Sequence, residues 1–204
     1  RRRFYSHAKD KKLMCGFAYV YRKDKEPKDI PQDLLFHRGP DYNNQIRLPN
    51  TCLRHWRLSI VDLSSKSNQP LHDDKFVFVY NGEIYNYLNL GKEIFNKNYT
   101  SDTKLFFDLL KGSNEDVLDV QSGFYSYLLL NKANLIMKGG RDFFGKKNLF
   151  YYFDNNLACF ASEEKAIKKI LTNEGKKISL SKSAFIQYLE YKDLFFGKTF
   201  YEGI

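Results

Sequence analysis

Cys15-Gly16-Phe17-Ala18-Tyr19-Val20-Tyr21 places a cysteine and a glycine directly before a run of aromatic and β-branched residues. Such a run predicts a buried β-strand. Similar runs occur at 76–80, 124–130, 148–153 and 157–161. Helical patterns alternate with them at 86–95, at 102–110 after Ser101, at 163–171 after Ser162 and at 183–191 after Ser181. Blocks of strands and helices in this order predict a layered α+β domain.

The composition is that of one globular domain. The 204 residues are 43% hydrophobic, close to the average for folded domains. The three cysteines, Cys15, Cys52 and Cys159, show no metal or redox spacing, and their odd number argues against a disulfide framework. The last two lie in or beside apolar runs, which predicts buried thiols. No apolar stretch approaches the roughly 20 residues that cross a bilayer, so we expect a soluble protein with no membrane partner. The cysteine pattern favours a reducing setting inside the cell, so we expect the protein to be cytoplasmic.

The net charge of +9 is concentrated at the N-terminus. Residues 1–14 contain six Lys or Arg and one Asp, so they carry more than half of the charge. A protein that binds nucleic acid needs its cations grouped on the folded surface, and the remaining residues are only mildly basic. The sequence therefore predicts a basic arm and no nucleic-acid partner. His37, His55 and His72 lack the close helical spacing of a metal site, so no metal is expected.

Cys15, taken alone, is more often a buried structural thiol than a catalytic one. If it is the first residue of the mature chain, its own α-amine, with an ordinary pKa of about 8, acts as a base towards the thiol. Fourteen residues precede it. They are interpreted as a propeptide, an expression remnant, or sequence upstream of a start at Met14. Gly16 lacks a Cβ, so we expect substrate and backbone to approach closely there.

Asn81 and Gly82 follow an apolar run and have two interpretations. In isolation an Asn-Gly pair most often forms a hairpin turn. Alternatively, the Asn81 side-chain amide and the Gly82 backbone N–H surround an oxygen that becomes negative during a reaction, which contributes ~3 kcal/mol for each donor. Both interpretations hold together if the turn carries the donors.

Arg57, Glu83 and Asp102 would each ordinarily be a solvated charge. A free amino acid, however, presents one carboxylate and one ammonium. The guanidinium of Arg57 suits the carboxylate because it donates two parallel hydrogen bonds. Asp102, at a predicted helix start, and Glu83 suit the ammonium.

Eight blocks of the sequence, taken in order, resemble the class II glutamine amidotransferase domain of asparagine synthetases. They are Cys15-Gly16, His37 to Asp41, Arg57 to Asp62, Asn68-Gln69-Pro70, Asn81 to Asn86, Ser101-Asp102-Thr103, Arg141 to Lys147 and Phe160 to Ala166. The resemblance covers residues 14–204, and eight collinear blocks are far more specific than one motif. It implies a four-layer αββα N-terminal nucleophile hydrolase fold, in which two stacked, mainly antiparallel sheets lie between helical layers.

The resemblance also implies the roles of particular residues. Cys15 is the catalytic nucleophile, and Asn81 and Gly82 form the oxyanion hole. The residues implied to bind L-glutamine are Arg57, Leu58, Ser59, Ile60, Val61, Asn81, Gly82, Glu83 and Asp102. The thiol attacks the glutamine side-chain amide, ammonia leaves, and water hydrolyses the thioester to glutamate.

The resemblance further implies a second domain that uses the ammonia. Residues 15–180 are expected to form the amidotransferase domain, which needs no cofactor. Residues 181–204 lead towards a C-terminal synthetase domain that amidates aspartate with ATP and Mg²⁺. The chain is therefore expected to continue in the natural protein, and whether two copies form a homodimer is left open.

The sequence departs from the family at several positions. Asn148 replaces a proline, Lys104 an acid and Ser67 a glycine, and the short interval from Cys15 to His37 predicts a trimmed first outer helix. Two alternatives stay open. In the first, the domain belongs to a paralogous amidotransferase whose ammonia acceptor is a sugar or an antibiotic precursor. In the second, the arm permanently caps Cys15, and the domain is a regulatory or structural module that hydrolyses nothing.

Overall fold

The structure, a computed structural model, describes residues 14–59, 63–112, 121–195 and 197–204. The strands in these ranges are β1 (Gly16–Arg22), β2 (Tyr42–Leu48), β3 (Thr51–Arg57), β4 (Leu71–His72), β5 (Phe76–Ile84), β6 (Gly123–Asn131), β7 (Met137–Arg141), β8 (Phe150–Phe153) and β9 (Leu157–Ala161). The α-helices are α1 (Tyr87–Phe95), α2 (Asp102–Lys111), α3 (Glu164–Asn173) and α4 (Lys182–Tyr191). A 3₁₀ turn spans Ser65–Ser67.

The strands form two antiparallel sheets. One has the order β2-β3-β1-β9-β8, and the other has the order β4-β5-β6-β7. In the first sheet, Gly16 pairs with Trp56 across β1 and β3, and Ala18 pairs with Ala161 across β1 and β9. β1 is therefore the central strand of this sheet, and Cys15, which directly precedes it, lies at the end of that strand.

Alternation of side chains along β1 separates two of the core layers. Phe17 and Tyr19 point towards the second sheet and pack with Val77 and Val79 of β5. Ala18 and Val20 point the other way, where α3 packs against the sheet through the buried side chains Ala166, Ile167, Ile170 and Leu171. On the outer face of the second sheet, α1 and α2 pack through Leu90, Leu105, Phe106 and Leu109. The predicted four-layer αββα fold is confirmed.

Helix caps follow the predicted pattern at two of the four helices. The Ser101 hydroxyl accepts a hydrogen bond from Lys104 N, and the Ser181 hydroxyl accepts one from Ala184 N. The predicted helix at 163–171 begins one residue later than expected, because Glu163 and not Ser162 is the residue that precedes α3. The Ser162 hydroxyl instead accepts a hydrogen bond from Phe17 N at 3.0 Å, and so ties the end of β9 to β1.

Residues 23–41, all described, contain no helix between β1 and β2. Ile30 and Leu35 from this segment are buried in the layer that α3 also fills. The resemblance implied a shortened first outer helix, and the structure has no helix at all in this segment. Cys52 and Cys159 lie in the same layer and are 0% exposed, as predicted.

The chain after α3 folds back onto the first sheet. Leu180 and Tyr201 form an antiparallel bridge, and Ile204 is buried beside α3. The division at residue 180 stays a prediction. Of the basic arm, only Met14 belongs to the described residues. In the described ranges, no helix combines the length and the apolar character needed to cross a membrane.

Candidate active site

The pairing of β1 with β3 places Cys15 next to Arg57. Gly16 lies opposite Trp56, so the same register continued by one residue sets Cys15 opposite Arg57. The Cys15 Sγ lies 3.3 Å from Leu58 N and 3.5 Å from Leu58 O. The thiol is therefore held against the backbone that leaves the end of β3.

Cys15 opens into a cavity of about 620 Å³, here called the Cys15 cavity. Its wall includes the predicted residues Cys15, Arg57, Leu58, Asn81, Gly82, Glu83 and Asp102. It also includes Met14, Ser67, Gln69, Tyr80, Tyr85, Ser101, Thr103, Phe124, Lys146 and Lys147. Seven of the residues proposed from the sequence for one amino-acid site thus lie around one space.

Arg57 is 6% exposed and is held by two acceptors. Its Nη1 donates to Ser64 O at 2.8 Å and to Asn68 Oδ1 at 2.5 Å. These bonds fix the plane of the guanidinium at the cavity wall. A fixed, buried guanidinium is suited to a carboxylate, because its donors are already arranged for two parallel hydrogen bonds.

Asp102 begins α2 and is 7% exposed. Its Oδ2 accepts from Tyr80 Oη at 2.9 Å and from Ile84 N at 3.1 Å, and its Oδ1 accepts from Thr103 N at 2.7 Å. Burial and the charge of Asp102 raise the pKa of Tyr80 well above its usual value, so the phenol keeps its proton and donates. The carboxylate is thereby fixed in the wall of the Cys15 cavity, which Arg57 also lines.

Asn81 and Gly82 lie inside β5, so the hairpin-turn interpretation is wrong. The glycine is required by close packing: a Cβ on Gly82 would lie 2.4 Å from Phe124 O in β6. Among the described residues, the buried Asn81 Nδ2 has no acceptor within hydrogen-bond distance. A buried donor without an acceptor is costly, and this one belongs to a residue on the cavity wall.

The backbone N–H of Gly82 points to the open edge of β5. Backbone groups of alternate strand residues face the same edge, and here Tyr80 N donates to Gln69 Oε1 while Ile84 N donates to Asp102 Oδ2. On the other edge, Tyr125, which pairs with Gly82, makes its backbone hydrogen bonds with Asp142. Asn81 Nδ2 and Gly82 N–H are therefore two candidate donors beside the Cys15 cavity.

The environment of Cys15 keeps its thiol protonated. Burial raises the pKa of Cys15, and the hydrogen bond from Leu58 and the charges of Arg57 and Arg38 offset only part of that effect. A base is thus needed before the sulfur becomes a good nucleophile.

Arg38 holds the backbone of Cys15. Its Nε donates to Cys15 O at 2.9 Å, and its Nη1 donates to Glu163 Oε1 at 3.0 Å. The close approach expected at Gly16 is made by this side chain, because a Cβ on Gly16 would lie 2.9 Å from Arg38 Cδ. Gly16 therefore has a packing role beside Arg38, and the expectation that it also makes room for substrate stays a prediction.

The structure places some predicted residues elsewhere. Ser59 donates its N–H to Asp41 Oδ2 at 2.8 Å and is not part of the cavity wall. Ile60 and Val61 lie outside the described residues. In the described ranges, no group of three or more His, Cys, Asp or Glu is arranged to hold a metal ion.

Sequence reasoning missed several polar residues at the site. The sequence analysis assigns no role to Tyr80, Gln69, Arg38 or Lys147. The last three nevertheless belong to the blocks that resemble the family. His55 was set aside as background. For Tyr80, the one indication in the sequence is that it directly precedes the predicted oxyanion donor Asn81.

Comparison with known families matches residues 14–204 to the glutamine amidotransferase domain. The chain belongs to this family. The amidotransferase domain is 32% identical, over 193 residues, to asparagine synthetase [glutamine-hydrolyzing] 1 of Bacillus subtilis (strain 168), which covers 88% of this chain and 30% of the relative. It is 33% identical, over 208 residues, to the putative asparagine synthetase [glutamine-hydrolyzing] 2 of Methanocaldococcus jannaschii, covering 86% of this chain and 39% of the relative. The chain thus spans about a third of the length of these relatives.

A solved structure supports the fold. The glutamine phosphoribosylpyrophosphate amidotransferase from B. subtilis, solved with ADP and GMP, superimposes on the amidotransferase domain with a TM-score of 0.52. The two are 17% identical, and the match covers 76% of this chain and 37% of that one. Together with the family match, this confirms that the amidotransferase domain has the N-terminal nucleophile hydrolase fold and is homologous to part of the asparagine synthetases.

Proposed function

We propose that this domain hydrolyses L-glutamine to L-glutamate and ammonia, with Cys15 as the nucleophile. The observation that carries the proposal is the Cys15 cavity, where a thiol, a buried guanidinium, a buried carboxylate and two candidate oxyanion donors line one space. The volume of about 620 Å³ lies in the range of small-molecule pockets.

The amino-acid end of glutamine is bound by opposite charges. The Arg57 guanidinium donates two parallel hydrogen bonds to the α-carboxylate, while Asp102 and Glu83 bind the α-ammonium. Ser59, Ile60 and Val61 are assigned to this site by the family resemblance alone. Since Asp102 is already fixed by three donors, little reorganisation is needed when the ammonium arrives.

The reaction begins when the Cys15 Sγ attacks the side-chain amide carbon of glutamine. The α-amine of Cys15 takes the thiol proton, and the oxygen of the tetrahedral intermediate is stabilised by Asn81 Nδ2 and Gly82 N–H. The carbon–nitrogen bond breaks, the nitrogen takes that proton, and ammonia leaves. Water then attacks the thioester, which releases glutamate and restores the thiol.

The active form begins at Cys15. While Met14 is attached, the nitrogen of Cys15 belongs to a peptide bond and is no base. Burial raises the pKa of Cys15, so the chemistry depends on the freed amine. Removal of residues 1–14 is therefore part of the proposal.

We assign the ammonia to aspartate, activated with ATP and Mg²⁺ in a C-terminal synthetase domain of a cytoplasmic protein. The similarity to asparagine synthetases supports this assignment. Analysis of the reaction products identifies the acceptor. Formation of asparagine from aspartate, ATP and glutamine would support the assignment, whereas amination of a sugar or an antibiotic precursor would contradict it.

Glutamate release by protein whose first residue is Cys15 tests the hydrolysis. We expect turnover that Cys15→Ala abolishes, together with retained ammonia-driven synthesis by the full-length protein. The matched control is Cys52→Ala, which changes a buried thiol in β3 that faces α3, away from the cavity. Retained glutamine hydrolysis in Cys15→Ala would contradict the proposal, as would glutamine binding without turnover in the unaltered mature protein.

A further inference from the structure

The pairing of β5 with β4 ends before β5 reaches the candidate oxyanion donors, Asn81 and Gly82. β4 pairs with β5 only at Leu71–Phe78 and His72–Val77. The same register, continued, sets Gln69 opposite Tyr80. Beyond that point no described strand pairs with this edge of β5, which Gly82 N–H faces.

The Gln69 side chain takes the place of the missing strand. Its Oε1 accepts from Tyr80 N at 2.6 Å, and its Nε2 donates to Tyr80 O at 3.1 Å. A side-chain amide thus satisfies both backbone groups that a paired strand residue would satisfy. Gln69 is 4% exposed, so water does not compete for these bonds.

His55 donates to the same carbonyl from the other sheet. It lies in β3, two residues before Arg57, and its Nε2 is 3.1 Å from Tyr80 O. Because a carbonyl only accepts, Nε2 carries the hydrogen. Burial lowers the pKa of His55 to about 3, so the ring is neutral and this bond is constant across the working pH range.

The Tyr80 carbonyl, which Gln69 and His55 hold as a clamp of two hydrogen bonds, belongs to the peptide bond between Tyr80 and Asn81. Fixing Tyr80 O fixes the plane of that peptide, and with it the start of the two-residue segment that carries the donors. Oxyanion donors act through accurate placement, and a displacement of about 1 Å is enough to slow a reaction ~100-fold.

We propose that Gln69 and His55 are positioning residues, which act through the Tyr80 carbonyl to aim Asn81 Nδ2 and Gly82 N–H at the reacting oxygen. The inference rests on the proposed glutamine hydrolysis. Neither residue binds the amino-acid end of glutamine, which Arg57 and Asp102 hold. The clamp therefore stabilises the transition state more than it stabilises bound substrate.

The test uses the full-length mature protein, three variants of Gln69 and His55, and one control variant. Gln69→Leu and His55→Leu remove the donors to Tyr80 O, and we expect each to lower kcat ~10- to 100-fold, below the ~100- to 1,000-fold loss for removing a donor itself. KM is expected to stay within about threefold. His55→Gln, which can place an amide nitrogen near the Nε2 position, is expected to recover most of the loss. Cys52→Ala, in the same strand, is the control for disturbance of β3.

Glutamine binding in the Cys15→Ala background separates positioning from collapse of the cavity. We expect Gln69→Leu and His55→Leu to leave that affinity unchanged. The inference is overturned if kcat stays within about twofold of the unaltered protein, if affinity falls as much as kcat, or if His55→Gln is no better than His55→Leu. An unaltered mature protein that hydrolyses no glutamine overturns the proposed function, and the inference with it.

Discussion

The phenol of Tyr80 donates a hydrogen bond to Asp102 Oδ2 at 2.9 Å and so connects β5 to the start of α2. Tyr80 lies in the core between the second sheet and its helices, packed against Phe106. One side chain thereby links the layer that carries the oxyanion donors to the carboxylate proposed to bind the ammonium of glutamine. Tyr80 therefore stabilises both the strand segment that carries the oxyanion donors and the carboxylate of Asp102.

Tyr80→Phe is expected to weaken glutamine binding. The aromatic packing is kept, but Asp102 loses a charge-assisted hydrogen bond of a kind worth ~1.5–3 kcal/mol. We expect KM to rise about tenfold, with a smaller change in kcat. Steady-state glutamate release measures both.

Tyr99→Phe is the matched control for that substitution. Tyr99 Oη donates to Asp108 Oδ2 at 2.9 Å on the same helix, and neither residue belongs to the wall of the Cys15 cavity. An equal rise in KM for Tyr99→Phe, or an unchanged KM for Tyr80→Phe, would contradict the linkage.

Gly82→Ala is expected to damage both the fold and the reaction. The added Cβ would lie 2.4 Å from Phe124 O and 2.7 Å from Tyr125 Cα, which are backbone atoms of a paired strand and cannot rotate away. Overpacking of this kind costs ~1–3 kcal/mol. We expect a fall of at least that size in the free energy of unfolding, measured with denaturant, and glutamate release below detection.

Gly112→Ala provides the comparison for Gly82→Ala. Among the residues that the structure describes, its Cβ would meet only Leu109 O, at 3.2 Å, in the turn that ends α2. We expect its free energy of unfolding to change by less than about 1 kcal/mol. A Gly82→Ala protein as stable as Gly112→Ala would show that β6 gives way, contrary to the packing argument.

The fold was predictable where apolar residues form strong periodic patterns. The first strand, the central strands β5 and β6, and all four helices lie within a few residues of their predicted ranges. The strands β2, β3, β4 and β7 were missed for different physical reasons. β2 is polar and half-exposed, β3 includes two arginines and a histidine, β4 is two residues long, and β7 contains Gly139 and Gly140.

The site was predictable from motif chemistry but not from local conformation. Asn81-Gly82 has the composition of a turn, yet it lies in a strand because Gly82 is needed for the approach of β6. The partners of Tyr80 could not be inferred from the sequence. Gln69 bonds it with a side chain just beyond the paired residues of β4, and His55 bonds it from the other sheet. Such contacts depend on tertiary packing, which no local pattern encodes.

Glu163 is expected to contribute stability that disappears in acid. Burial alone would raise the pKa of its carboxyl, but the bonds from His37, Arg38 and Lys165 outweigh burial and lower the pKa to about 2. A depressed carboxyl pKa stabilises the fold above the unfolded value, 4.5, and that contribution is lost as the pH falls towards about 2. We expect Glu163→Gln to lower Tm by several degrees at pH 7 and to match the unaltered protein near pH 2.

Glu164→Gln is the neighbouring control in a thermal titration. Glu164 pairs with Lys168 one helical turn away at 3.1 Å, and such pairs on the partly exposed surface of a helix contribute little. We expect its Tm to follow that of the unaltered protein from pH 7 to pH 2. A Glu163→Gln difference that persists unchanged at low pH would assign its effect to packing and not to charge.

The pH dependence of kcat/KM is expected to report the α-amine of Cys15. In protein that begins at Cys15, activity should rise with pH through one ionisation at about 8, the ordinary value for an α-amine, because only the neutral amine takes the thiol proton. Burial raises the pKa of Cys15 itself, so ionisation of the thiol alone would put the rise higher. Protein that retains residues 1–14 has a peptide bond in place of the amine, and we expect its glutamate release to be lower by ~1,000-fold or more, because the base is gone. Equal activity in the two forms would rule out the α-amine as the base and would require another group near Cys15, of which Lys147, whose pKa is lowered by burial, is the first to examine.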